Sequence, residues 1–91
     1  MAEVVREVTV LNENGLHVRP SSQIVELANS FRCRLLLWSE SGEADARSAL
    51  SLLTQGWGKG TRILIKGNGD DAEQAVSAVA DLFESRFGLE S

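Results

Sequence analysis

The only histidine of this 91-residue chain, His17, lies in the run Asn14-Gly15-Leu16-His17-Val18-Arg19-Pro20-Ser21, between a turn and a stretch with helical apolar spacing. A helix start leaves its first N–H groups unsatisfied and carries a partial positive charge, so an anion such as phosphate is stabilised there. Arg19 adds a permanent cation two residues further on. A neutral imidazole nitrogen is a nucleophile at physiological pH, so a ring in this position can accept a phosphoryl group. Backbone N–H groups and Arg19 would hold the phosphoramidate until a better acceptor arrives. Taken by itself, a lone histidine in a short domain is more often structural than reactive.

Composition removes several competing chemistries. With one cysteine, Cys33, and one histidine, the chain can form neither an internal disulfide nor a zinc site of the usual spacing. We expect a reducing compartment and no metal or bound cofactor. Nine Lys+Arg against 13 Asp+Glu give a net charge of −4, which opposes a non-specific grip on nucleic acid or an anionic membrane. No window approaches the ~20 apolar residues of a membrane span, and no basic segment precedes an apolar run at the start. The expectation is a cytoplasmic protein without membrane insertion. Gly56-Trp57-Gly58-Lys59-Gly60 lacks the order of a phosphate loop and joins no strand to a helix, so it reads as a glycine-rich connection. Trp57 within it suits either the interior or a contact surface.

The elements that must position His17 follow from periodicity. Residues 4–11 alternate as a strand with Val8 and Val10 inward. Asn12 to Gly15 carry turn chemistry, and Ile24, Leu27, Ala28 and Phe31 then recur with helical spacing. Pro20 is tolerated only in that helix's first turn, and it disfavours a helical Arg19. A second strand is read over 31–38 with Cys33, Leu35 and Leu37 on one face, and a short third over 43–46. Ser48 caps a short helix bearing Leu50 and Leu53, which Gly56, Gly58 and Gly60 end. A fourth strand over 61–66 turns Ile63 and Ile65 inward, and Gly67-Asn68-Gly69 reads as a turn. Asp70 caps the last helix, with Glu73 three residues on and a stripe through Ala72, Val76, Val79, Phe83 and Phe87, stopped by Gly88. The order β-α-β-β-α-β-α predicts one domain over 1–91, an α/β (α+β) open-faced sandwich whose four-stranded, mainly antiparallel sheet carries three helices on one face.

These residues also carry a resemblance. Asn14-Gly15-Leu16-His17-Val18-Arg19-Pro20 resembles the active-site signature of the HPr phosphocarriers of the bacterial phosphoenolpyruvate-dependent phosphotransferase system (PTS), and the likeness continues through Asp45-Ala46-Arg47-Ser48 and Gly56 to the last helix. This context reverses the plainer reading of the histidine. The resemblance implies that His17 is phosphorylated by enzyme I and dephosphorylated by a downstream enzyme II A-type domain, a stoichiometric relay rather than a turnover enzyme. It further implies that Arg19 steadies the phosphate, that Pro20 restrains the helix start and that Asn14 neighbours the site. Val18, Ser21, Leu50 and Leu53 are implied as partner-binding residues. Core packing competes for the two leucines, at least one of which should face inward. Ser21 departs from the commoner alanine and should alter rates rather than abolish transfer. Ser48 matches a second phosphorylation site, used in some bacteria by a regulatory serine kinase/phosphorylase; a plain helix cap competes with this. Where some relatives carry lysines on the first helix, this chain offers Glu26 and Asn29, so electrostatic steering towards an acidic enzyme I should be weaker.

Three alternatives stay open: a regulatory, nitrogen-type phosphorelay carrier, a non-transferring binding module of the same fold, and a small enzyme with His17 as base. The last lacks a second catalytic group. If Cys33, Leu35 and Leu37 face the helices, then Val5, Leu36, Trp38 and Leu64 face the open side of the sheet, a candidate surface for self-association or another partner.

Overall fold

The computed structural model describes residues 3–89. Its elements are β1 (Glu3–Thr9), α1 (Val18–Ala28), β2 (Arg34–Ser39), β3 (Gly42–Asp45), α2 (Ala49–Gln55), β4 (Arg62–Asn68) and α3 (Ala72–Glu84), with a 3-10 turn at Arg86–Gly88. The strands form one sheet in the order β1-β4-β2-β3, and every neighbouring pair is antiparallel. The core lies between the sheet and the helices. Val8, Leu35, Leu37, Ile63 and Ile65 line it from the strands, and Cys33 from the connection before β2. Three ion pairs, Arg6–Glu84, Lys59–Glu13 and Arg62–Glu7, are exposed, where solvent screening leaves them little stabilising weight. Burial of the apolar face, at roughly 1.5–3 kcal/mol per large side chain, therefore holds the helices to the sheet.

Several boundaries differ from the pattern in the sequence, each for a local reason. β2 begins at Arg34 instead of residue 31. The N–H groups of Ser30 and Phe31 still bond back to Leu27 and Ala28, and those of Arg32 and Cys33 donate to the Asp71 carboxylate at 2.8 and 2.9 Å. None of them is free to join the ladder. β3, by contrast, starts one residue early, at Gly42, and ends one early, at Asp45. Gly67 and Asn68 belong to β4 and not to a turn: a Cβ on Gly67 would lie 2.7 Å from Val76 and 3.2 Å from Ala72, so the glycine lets α3 lie on the strand. The cap of α3 is Asp71, not Asp70, and its carboxylate serves the 32–33 connection in place of its own helix. That helix ends at Glu84, since Arg86 and Phe87 both adopt positive φ; Phe87 then packs edge-on to Phe83, centroids 5.0 Å apart.

On the open face, the alternation holds and its consequence is modified. Register places Val5, Lys66 and Leu36 in one row and Glu7, Leu64 and Trp38 in the next. Lys66 Nζ lies 5.3 Å from the centre of the Trp38 ring, and Glu7 pairs with Arg62 at 2.9 Å. Leu36 and Leu64 are half-buried, and charged side chains alternate with apolar ones along these rows, so the apolar surface is interrupted.

Candidate functional site

The site is built on the turn between β1 and α1. Asn12 opens it: its carbonyl accepts the Gly15 N–H at 3.1 Å and its Nδ2 donates to the Gly15 carbonyl at 2.6 Å. Gly15 has φ +65°, and a Cβ there would come within 2.5 Å of the Trp57 carbonyl oxygen and 2.7 Å of Gly58 Cα. The next N–H, of Leu16, donates to that same Trp57 carbonyl at 2.9 Å. Trp57 is thus an interior residue, and its carbonyl is a footing for the site loop. Outside the turn, Lys59 Nζ meets Glu13 at 2.7 Å, and this hydrogen-bonded ammonium holds the Glu13 carboxyl below its ordinary value.

His17 is the residue before α1, in extended conformation (φ −81°, ψ −163°), and its carbonyl accepts the Ser21 N–H at 3.1 Å. Its side chain makes no cap bond, and Nε2 is buried without a hydrogen-bond partner. α1 begins at Val18, so Arg19 is helical after all; Pro20, as third residue, loses only an N–H that has no partner in a first turn. Arg19 is exposed, and none of the ion pairs among the described residues involves it. Backbone N–H groups of a helix start and one unpaired guanidinium can stabilise a phosphoryl dianion on the ring.

The remaining residues divide by exposure. Val18 is 65% and Leu50 72% exposed, with Leu53 at 37%, on two helices that pack together. Leu52 takes the inward position on α2, so neither of the other two leucines serves the core. Asn14 is exposed on the turn without a side-chain hydrogen bond among the described residues. Ser21 is a correction: it is fully buried, its Oγ donates to the Leu16 carbonyl at 3.2 Å, and it presents nothing to a partner. Ser48 caps α2, and its Oγ accepts the Ser51 N–H at 3.1 Å. The sequence reading missed Asn12, although asparagine first and glycine fourth in a turn is a pattern with a mechanism. Among the described residues no group of three His, Cys, Asp or Glu can hold a metal ion, and no helix is long and apolar enough to cross a membrane.

An open-faced sandwich that presents one histidine at the start of a helix, beside an unpaired arginine, has the form of a small phosphocarrier domain. The family model for the PTS HPr component phosphorylation site matches residues 4–85, and the chain belongs to this family of HPr-type phosphocarriers. It is 36% identical over 85 residues to phosphocarrier protein NPr of Escherichia coli strain K12, covering 92% of this chain and 94% of that one. Phosphocarrier protein HPr of Xylella fastidiosa is 32% identical over 81 residues, covering 89% and 91%. Among solved structures, HPr-C-His from Thermoanaerobacter tengcongensis superposes with a TM-score of 0.88 at 32% identity, covering all of both chains.

Proposed function

We propose that His17 accepts a phosphoryl group from phosphorylated enzyme I, at the expense of phosphoenolpyruvate, and passes it to an enzyme II A-type domain. The observation that carries this is the setting of the ring: His17 stands immediately before the first turn of α1, its Nε2 is buried, which favours Nδ1 as the reacting nitrogen, and Arg19, two residues on, joins no ion pair among the described residues. The Nδ1 lone pair attacks phosphorus, the N–P bond of the donor phosphohistidine breaks, and the proton stays on Nε2. Arg19 and the helix N–H groups balance the charge that arrives. Val18, Leu50 and Leu53 supply an apolar docking surface, with no lysine on α1 to steer a partner. Intact mass after incubation with phosphoenolpyruvate and catalytic enzyme I, beside a His17→Ala control, tests the reading. One acid-labile phosphoryl group on the wild type alone is expected. No adduct, with enzyme I active on another carrier, would reduce the chain to a binding module of the same fold.

A nitrogen-type regulatory relay is the second reading, favoured by relatives named NPr that match as well as those named HPr. Offering the phosphorylated protein both kinds of acceptor domain separates the two by which drains it faster. Ser48 is proposed as a regulatory phosphorylation site, adding negative charge beside the docking leucines. Acid-stable phosphate on wild type and not on Ser48→Ala, after exposure to a serine kinase of this system, is the expected outcome; its absence removes the regulatory role.

A further inference from the structure

We propose that Asn12 and Ser21 are positioning residues for His17, which align its ring for phosphoryl transfer by fixing the two peptide units that precede it. The inference rests on the reading of His17 as phosphoryl acceptor. It starts from what does not hold the ring: the side chain makes no cap bond and Nε2 has no partner, so the ring's aim is inherited from the backbone beneath it. The peptide unit joining Gly15 to Leu16 is gripped at both ends, its carbonyl by Asn12 Nδ2 at 2.6 Å and its N–H by the Trp57 carbonyl at 2.9 Å. The unit joining Leu16 to His17 has its carbonyl held by Ser21 Oγ at 3.2 Å. Ser21 stands in the first turn of α1, so this bond ties the histidine's own peptide to the helix whose N–H groups would receive the phosphoryl oxygens.

Both side chains are as buried as the core, Asn12 at 1% and Ser21 at 0% exposure. A buried carbonyl stripped of its donor is costly, and rotation of the peptide unit towards another partner relieves that cost. Rotation re-aims the Cα–Cβ bond of His17, and a displacement of ~1 Å in a reacting group slows chemistry by about a hundredfold.

The variants are Asn12→Ala, Asn12→Asp, which keeps the shape and loses the donor, and Ser21→Ala. Two readouts are taken at a temperature where circular dichroism shows each fully folded. One is the rate of phosphoryl transfer from enzyme I; the other is the pair of ring 15N shifts of His17 with the ring's nuclear Overhauser contacts. We expect transfer to slow roughly ten- to a hundredfold for both Asn12 variants and several-fold for Ser21→Ala, with shifted ring signals in all three. Wild-type rates and ring signals, with only the melting temperature lowered, would overturn the inference and leave both residues purely structural. If an Asn12 variant does not fold, Ser21→Ala decides alone. If the wild type takes no phosphoryl group, the functional reading fails and the ring signals still decide the positioning.

Discussion

Gly15 is the residue on which the site loop turns, and it shows how little room the site leaves. Its φ of +65° alone costs a non-glycine residue on the order of 1–3 kcal/mol, and here the added methyl would also meet backbone atoms, which cannot swing aside as a side chain can. Gly15→Ala is therefore expected to lower the melting temperature by more than about 5 °C in a chain of this size, and to slow phosphoryl transfer even where the protein stays folded. Calorimetry with a transfer assay checks this; an alanine variant of wild-type stability would mean that the Trp57 carbonyl is not a fixed wall. At this scale the sequence is informative about chemistry and poor at support. His17, Arg19 and Pro20 announce themselves by type and spacing. Asn12 reads as turn punctuation, and its carboxamide becomes a support only because the distant 56–60 connection folds beneath the loop and closes Gly15 in. Ser21 misleads for the same reason, since spacing alone does not tell which side of the first helical turn is sealed.

At the level of elements, periodicity identifies every strand and helix, and most corrections fall at their ends. Ends are decided by groups far away in the chain. The connection after α1 is the clearest case: Asp71 accepts the N–H groups of Arg32 and Cys33, while the Arg47 guanidinium donates to the carbonyls of Ala28, Phe31 and Cys33. One carboxylate and one guanidinium thus satisfy a stretch that belongs to neither helix nor sheet, and no local pattern reveals that pairing. The Arg32 N–H holds the Asp71 carboxyl below its ordinary range; burial opposes this, and the Cys33 N–H adds to the lowering. A carboxyl lowered in the folded state stabilises the fold wherever it is ionised, and that contribution fades as pH falls through the folded value. Wild type should lose this increment below about pH 4, the ordinary carboxylate range. Asp71→Asn should melt lower than wild type at neutral pH, with the gap narrowing between about pH 4 and pH 2. Melting curves across that range measure it, and a gap independent of pH would mean that the ionised carboxylate is not what the connection needs.

For the molecule as a whole, the two faces of the sheet make different demands. The covered face is legible from alternation from Leu35 to Leu37 and from Ile63 to Ile65, where burial enforces the period of two, but not at Gly67, where the strand runs on beneath α3. The open face is legible only in part: alternation places Val5, Leu36, Leu64 and Trp38 outward, but cross-strand register decides that Lys66 lies on Trp38 and that Glu7 and Arg62 flank Leu64. Alternation makes this face a candidate surface for self-association, and its energetics bound how strong such an association can be. A stable interface buries about 800 Å² per partner, a large share of the 5151 Å² this molecule exposes, whereas only Val5 and Trp38 among the four offer substantial free apolar area. Docking would also strip water from Lys66, Glu7 and Arg62, which offsets part of the gain. Any dimer formed through this face is therefore weak. Translational diffusion by NMR from about 0.05 to 2 mM should slow with concentration for wild type and stay constant for Trp38→Lys, which places a second cation where Lys66 already sits. Diffusion independent of concentration in both would remove the second copy as a partner for this face. Slowing in both would move the self-contact to the other side of the molecule, where Val18 and Leu50 are exposed, and phosphorylation of His17 should then disperse it.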